Sequence, residues 1–340
     1  MKNYSYKFRI LPTENQKEIL SRYFCGRFIY NYYLNKSIQD YQQNKDKKWN
    51  KYEYVKDIVN LKKGNERLKE VNSQSLQSVV ENLDKAYNKF FTKFPSFKKK
   101  SKQSTKIPQF FKVENRIHIP KMKEIKFIKD REIEKIKSLT LSQDTDKYYV
   151  SILVEREITE LSKTKSVGCD LGVKDLLITS DDVYKTLKRK NESKIRLQMR
   201  QSKKQKSRRY KQLKTKIARL HKADANRRND YNHKISIQLV RNYDLILENL
   251  NVKMMKNHKL AKSINQWYDL VNKLTYKSDR YKQVHQISRW YPTSKQCYQC
   301  NVEQSLKLSE RTYVCECYKE DRDINASKNI LRYTEIELKL

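Results

Sequence analysis

Residues 166–180 read SVGCDLGVKDLLITS, and the fold turns on how this stretch is parsed. A short apolar run, Val167, Gly168 and Cys169, delivers one carboxylate, Asp170. A Gly-containing turn follows, then a second apolar run from Leu176 to Thr179. Runs of this length bounded by turn residues predict the two strands of a hairpin. Such a hairpin holds an acid rigidly in the middle of a sheet, flanked by apolar side chains. Two later stretches are patterned to meet it. Tyr243–Leu250, YDLILENL, predicts a buried strand through Leu245, Ile246 and Leu247 that ends in Glu248. Asp321–Ile330, DRDINASKNI, places Asp323 ahead of a helix expected to begin near Asn325. Taken singly, Asp170 reads equally well as a turn residue, and Asp321 and Asp323 as the start signal of the last helix. Taken together, three acids 78 and 75 residues apart, each beside an apolar element, suit a carboxylate cluster assembled by tertiary folding to hold divalent metal.

The rest of the chain is dominated by positive charge. Its 340 residues exceed one typical domain, so two or three are expected. Lys and Arg number 76 against 39 acids, a net charge of +37, and 37% of residues are hydrophobic. Self-repulsion on this scale opposes compaction unless a polyanion neutralises it, so nucleic acid is the expected partner, ahead of an anionic membrane surface. The 24 tyrosines and the recurring apolar periodicity argue against disorder throughout. No run approaches the length of a membrane span, and MKNYSYKFRILP lacks the apolar core of a signal peptide. A cytosolic protein is expected, nucleoid-associated when bound to DNA. Its six cysteines then read as metal ligands or buried thiols rather than disulfides.

Taken in order, Tyr4–Leu11 alternates as a strand closed by Pro12 and Thr13. From Glu14 one helical pattern runs through Ile19, Leu20, Tyr23, Phe24, Phe28, Ile29, Tyr32, Tyr33 and Leu34. Further helices are expected over Tyr52–Leu61 and Ser73–Phe91, which makes a small helical module, aromatic inside and basic outside. Phe94–Lys102, FPSFKKKSK, reads as a linker or backbone-contacting loop. Short strands at Arg116–Ile119, Glu124–Phe127, Ser138–Ser142 and Tyr148–Val154 suggest a small barrel. Lys188–Arg228 carries 18 Lys or Arg against two acids, with Leu213, Ile217 and Leu220 at helical spacing. Many of these lysines are a solvated helix face, yet charge so one-sided, inserted between the two acid-bearing strands, would line a nucleic-acid channel. Tyr231, Ile235 and Leu239 then lead back into the strand carrying Glu248.

VGCDLGVKDLLITS, LILENLNVKMM and DRDINASKNI, in that order, resemble the three motifs of the RuvC-like nuclease domain of the TnpB (OrfB) family. These are transposon-encoded, RNA-guided DNA endonucleases related to type V CRISPR effectors. YKFRILPTENQ and RFIYNYYLN resemble that family's N-terminal region. The resemblance implies a multidomain α+β protein in which a RuvC-like (RNase H-like) α/β nuclease domain carries a cysteine ribbon insertion. By the same resemblance, residues 1–13 and 94–160 would form a small β-barrel wedge domain and 14–93 a helical recognition lobe. The nuclease domain would cover 161–340, with a basic helical insertion at about 185–240 and a zinc-ribbon-like insertion at about 293–320. It implies guide RNA and double-stranded target DNA as partners, with the guide transcribed from the transposon end and cleavage beside a short flanking motif.

Phosphodiester hydrolysis needs an activated water and a stabilised leaving oxygen, and two Mg²⁺ ions roughly 3.5–4 Å apart supply both. In the RuvC-like reading Asp170 bridges the two Mg²⁺ ions, and Glu248 and Asp323 each hold one side. Asp323 is preferred over Asp321 because it stands two before Asn325 in the DxNA pattern; Asp321 reads as a supporting or capping group, and Asp175 as a surface turn. Cys297 and Cys300 form C-x₂-C, and Cys315 and Cys317 form C-x-C. Four thiolates from two knuckles make a structural Zn²⁺ site. The family has C-x₂-C in both places, the second often followed by glycine and histidine, so the shorter second pair leaves two expectations open. One is an intact zinc site. The other is a decayed ribbon held by Tyr298, Leu306, Leu308 and Tyr313. Cys169 and Cys25 read as core. Two other functions fit the same pattern: a nuclease-inactive, RNA-guided DNA-binding repressor, and an unguided RNase H-like nuclease or resolvase.

Overall fold

The computed structural model describes residues 2–89, 94–99, 103–157, 165–172, 174–187, 198–199, 208–249, 261–281, 284–288, 290–307 and 310–337. The chain forms two compact units, 1–157 and 158–340. Expectations that fall on Phe90, Phe91, Lys100–Lys102, most of 188–207, Leu250 and Leu308 lie outside the described residues.

Among the described residues the first unit is a seven-stranded antiparallel sheet packed with five helices. Strand β1 (Lys2–Leu11) alternates Tyr4, Tyr6, Phe8 and Ile10 toward the core. Pro12 ends it and Thr13 caps helix α1 (Glu14–Tyr23) in a capping box: the Gln16 N–H donates to Thr13 Oγ1 and the Thr13 N–H to Gln16 Oε1. The helical run expected from Glu14 is in fact two helices. Helix α1 stops at Phe24, and α2 (Gly26–Gln43) restarts at a glycine, the weakest helix former after proline. Asparagines then cap α3 (Lys51–Lys63), α4 (Glu66–Lys69) and α5 (Ser73–Tyr87): Asn50, Asn65 and Asn72 each accept an N–H from two residues on.

The sheet continues with β2 (Gln103–Ile107), β3 (Lys112–Val113), β4 (Arg116–Ile119), β5 (Lys123–Phe127), β6 (Ile136–Asp144) and β7 (Lys147–Arg156). Its order is β2-β6-β7-β1-β5-β4-β3; among the described residues no ladder joins β2 to β3. Helices and sheet share one buried cluster, with Tyr23, Tyr33, Leu83, Ile117 and Ile152 fully enclosed. The basic segment after α5 is fastened rather than free. Asn31 pairs with Lys98 in both directions, accepting its N–H at 2.8 Å and donating to its carbonyl at 3.1 Å.

The second unit is built on a five-stranded sheet of order β10-β9-β8-β11-β12. Strands β8 (Lys165–Asp170), β9 (Asp175–Thr179) and β10 (Val183–Lys185) form an antiparallel meander, so the expected hairpin is present. Helix α6 (Arg208–Asn242) then crosses to β11 (Tyr243–Glu248), which lies parallel to β8. Helix α7 (Ala261–Tyr281) leads to β12 (Val284–Ile287), parallel to β11. A two-stranded ribbon, β13 (Thr312–Cys315) and β14 (Tyr318–Asp321), runs directly into helix α8 (Arg322–Glu337).

Both faces of β8 and β11 are covered, which is why each reads as an unbroken apolar run. Val167, Cys169, Leu245 and Leu247 pack with Ile235, Leu239, Trp267, Leu270 and Leu274 of α6 and α7. Ile246 packs on the opposite face with Ile287 and Ile330 of α8. Helix α8 crosses β8 at Gly168, where an added Cβ would overlap the Ser327 carbonyl oxygen and sit 2.6 Å from Leu331 N. A glycine is required there by close approach, not by backbone conformation. Among the described residues no helix is long and apolar enough to cross a membrane.

Candidate active site and metal centre

The period of two along a strand decides where the acids go. Asp170 shares its face with Gly168, and Glu248 shares its face with Ile246, so both belong to the face that α8 covers. The β8–β11 ladder pairs Cys169 with Leu247, which puts Asp170 and Glu248 side by side one residue further on. Both acids thus end parallel strands at their carboxyl ends, the edge where open α/β sheets place their sites. Asp323 arrives from the first turn of α8.

That helix begins earlier than the expected Asn325. Asp321 is its N-cap, accepting the Asp323 N–H at 2.9 Å, so Asp323 is inside the helix rather than ahead of it. An Asp-Arg-Asp run offers two acids able to cap, and the upstream one does so. Arg322 Nε and Arg311 Nη1 stand 3.5 Å and 3.6 Å from the Asp323 carboxylate.

The electrostatics report the convergence. The Asp170 carboxyl is pushed up to about 7, first by burial, then by the charges of Asp323 and Glu248; the Leu171 N–H and Arg322 pull weakly the other way. Burial also raises Glu248. The three acids are neighbours without being a tight knot, because among the described residues only the four cysteines have ligand atoms all within 4.8 Å of one another. A spread set of hard oxygen donors around one disfavoured carboxylate suits Mg²⁺, which takes one or two carboxylates per ion and completes its shell with water and phosphate.

The loop after Asp170 has its own support. Trp267 of α7, almost fully buried, donates its indole N–H to the Gly172 carbonyl at 2.9 Å. Behind it Asn232 of α6 donates to Asp269, which also pairs with Lys273, and Lys277 donates to the His233 carbonyl and Ser236 Oγ. Neither Gly168 nor Trp267 was marked by the sequence pattern as part of the site. A glycine inside an apolar strand was the one available signal, since it marks a place where another backbone comes close.

The four cysteines come together. Sulfur separations are 3.2 Å for Cys297–Cys315, 3.3 Å for Cys315–Cys317, 3.8 Å for Cys300–Cys315 and 3.9 Å for Cys297–Cys317. Zinc–sulfur bonds of about 2.3 Å in a tetrahedron set sulfur atoms roughly 3.8 Å apart, so the donor set fits a metal such as zinc. The short C-x-C pair reaches the cluster because it sits on the β13–β14 turn, with Tyr313 buried beneath it. Burial opposes the Cys297 thiolate. The N–H groups of Cys300 and Gln299 and the Cys315 thiol outweigh it, holding that thiol down to about 7. Cys169 is buried core, and Cys25 is half-buried.

Comparison with known proteins agrees with this architecture. A Cas12f1-like TNB domain model matches residues 267–330, a probable transposase model of the OrfB type matches 149–259, and the associated helix-turn-helix domain matches 1–46. A putative RNA-guided DNA endonuclease of Streptomyces pristinaespiralis is 32% identical over 96% of this chain and 88% of that protein. The putative RNA-guided DNA endonuclease InsQ of Escherichia coli K12 is 31% identical over 96% of this chain and 91% of its own. Among solved structures, the Cas12f1 chain of a Cas12f1–sgRNA–target DNA complex superposes with a TM-score of 0.54 at 13% identity, covering 97% of this chain and 98% of that one, a likeness of fold. The chain belongs to the TnpB (OrfB) family of transposon-encoded proteins.

Proposed function

We propose that the protein is an RNA-guided, Mg²⁺-dependent DNA endonuclease that cuts beside a short flanking motif, using a guide transcribed from the transposon end. The observation that carries this reading is the meeting of Asp170, Glu248 and Asp323 on one face of the second unit's sheet, with Asp170 pushed up to about 7 first by burial and then by the charges of the other two. Asp170, Glu248 and Asp323 would be the residues that hold the metal. Bound among them, Mg²⁺ would supply the activation of water and the stabilisation of the leaving oxygen.

The chain's own residues do the positioning. Asp170 ionises against its neighbours' charge, which favours a cation there over a lone carboxylate. Trp267 steadies the Gly172 carbonyl next to it, and Arg311 and Arg322 fix the Asp323 carboxylate from two sides. Helix α6 presents Lys214, Lys216 and Arg219 to solvent, which suits phosphate contacts. Guide and target duplex would be gripped by a wedge of residues 1–13 and 94–160 and a recognition lobe of 14–93, with zinc held by Cys297, Cys300, Cys315 and Cys317. A damaged cysteine ribbon would favour a nuclease-inactive repressor, and the arrival of the shortened second pair at the thiol cluster weakens that alternative.

The test is Asp170→Ala in protein loaded with its own transposon-end RNA. Guide binding within about twofold of wild type with cleavage lost is the expected result, because the acid acts in the reaction rather than in RNA recognition. Equal loss of binding and cleavage would remove Asp170 from the site.

A further inference from the structure

Helix α8 reaches out to the first cysteine knuckle with three side chains spaced along one face. Asn325, fully buried, accepts the Tyr298 N–H through Oδ1 at 3.0 Å and donates from Nδ2 to the Gln296 carbonyl at 2.8 Å. Those two backbone groups stand on either side of Cys297. Asn329, also buried, donates to the same Gln296 carbonyl at 2.6 Å and to the Thr293 carbonyl at 2.8 Å. Arg332 donates to the Tyr298 carbonyl at 2.5 Å and to Asn301 Oδ1 at 2.7 Å.

The other half of the thiol cluster reaches the same helix by a different route. Cys315 and Cys317 sit at the turn of the β13–β14 ribbon, and β14 runs through Asp321, the N-cap, into Asp323. The N-terminus of α8 is therefore held from two sides. One grip is the Asn325 amide on the Cys297 knuckle, and the other is the covalent chain from Cys317. A metal bound by all four thiolates ties the two grips together; without it they meet through thiol contacts, the Tyr313 hydroxyl at the Lys295 and Val302 carbonyls, and the Tyr298–Tyr318 ring contact. Asn suits the first grip because its amide offers an acceptor and a donor at once, matching one N–H and one carbonyl.

We infer that Asn325 is a positioning residue that couples metal occupancy of the four-cysteine cluster to the placement of Asp323. This rests on the reading of Asp323 as a ligand of the catalytic cation. It makes the ribbon a condition of nuclease competence, not a separate ornament of the fold. Coupling between two sites is reciprocal, so each site's affinity must respond to the other.

The experiment uses full-length, guide-loaded protein with Co²⁺ in the cysteine cluster, whose visible absorption reports occupancy, and Mn²⁺ at the acids, followed by magnetic resonance. Asn325→Ala strands the part-buried Tyr298 N–H and leaves the Gln296 carbonyl to Asn329 alone, so it should take up one Co²⁺ yet release it to chelator about tenfold faster, with about tenfold more Mn²⁺ needed for half-occupancy. Stripping the cysteine metal should raise the wild-type Mn²⁺ midpoint by a similar factor and leave that of Asn325→Ala nearly unchanged. Asn325→Asp keeps the acceptor for Tyr298 but sets a carboxylate oxygen against the Gln296 carbonyl, so it should release Co²⁺ at least as fast. Should the alanine variant fail to fold, Asn325→Asp and Arg332→Gln carry the same comparison.

Unchanged release, strictly additive effects, or a chain that takes up neither Zn²⁺ nor Co²⁺ would each overturn the coupling. An Mn²⁺ midpoint indifferent to Asp170→Asn would instead overturn the acid-site reading. The Co²⁺ release rate does not depend on that reading, so the two failures are separable.

Discussion

Gly168→Ala is the smallest change that should disable the site from a distance. The added methyl would lie 2.6 Å from Leu331 N, against the 3.4 Å of ordinary contact, and would overlap the Ser327 carbonyl oxygen more severely. Both atoms are backbone of α8, so no side chain can swing aside. The helix must retreat by at least about 0.8 Å, and Asp323 rides on its first turn. A displacement of about 1 Å in a catalytic group costs on the order of 100-fold in rate, and overpacking of a core costs about 1–3 kcal/mol. Single-turnover cleavage by guide-loaded protein should therefore fall about 100-fold, with guide binding kept and the melting temperature lowered by a few degrees. Gly64→Ala is the control. Its Cβ would meet only the Asn60 carbonyl at 3.8 Å in helical backbone, so stability should hold or rise slightly. A Gly168→Ala protein that cuts at the wild-type rate would show that α8 does not set the position of Asp323.

Other perturbations test separate parts of the account. Trp267→Phe keeps an aromatic ring and loses the N–H to Gly172 together with the pyrrole part of the indole; cleavage should fall about tenfold with guide affinity intact, and an unchanged rate would remove Trp267 from the support of the site. Asp170 has a folded value raised from 3.8 to about 7, so the stability gained from its protonated form is complete below about pH 4 and is lost as pH rises through 7. In metal-free protein Asp170→Asn should accordingly melt a few degrees above wild type at pH 7.5 and level with it near pH 4, and Mg²⁺ should narrow the gap. Reversing the charge of Lys214, Lys216 and Arg219 together should weaken nucleic-acid binding and flatten its salt dependence by up to about three units of slope, measured by titration across salt concentrations.

The legible parts of this protein were those in which one local rule decides. Arg116–Ile119 was delimited from sequence because Ile117 and Ile119 alternate cleanly into the core between polar neighbours. The Asp170 hairpin and the Glu248 strand were legible because strands covered on both faces read as unbroken apolar runs. The break between α1 and α2 was not, since Tyr23, Tyr30 and Leu34 are all buried and keep a helical spacing across it. The start of α8 was misplaced by a few residues because Asp321 and Asp323 both look like caps. The grips of Asn325 and Trp267 join residues 27 and 95 positions apart, and nothing in local periodicity announces such a bond. C-x-C spacing alone leaves a four-thiol site open, and the turn that carries the pair brings both thiols to the cluster.

The most direct test of the central claim is cleavage by protein co-expressed with its flanking transposon RNA. The substrate is a plasmid library carrying the guide-matched target beside randomised bases, assayed with Mg²⁺ or with EDTA, and with Asp170→Ala in parallel. Mg²⁺-dependent cutting confined to one flanking motif and absent from the mutant is the expected result. Guide-dependent binding without cutting, by folded protein with its acids and cysteines intact, would contradict it.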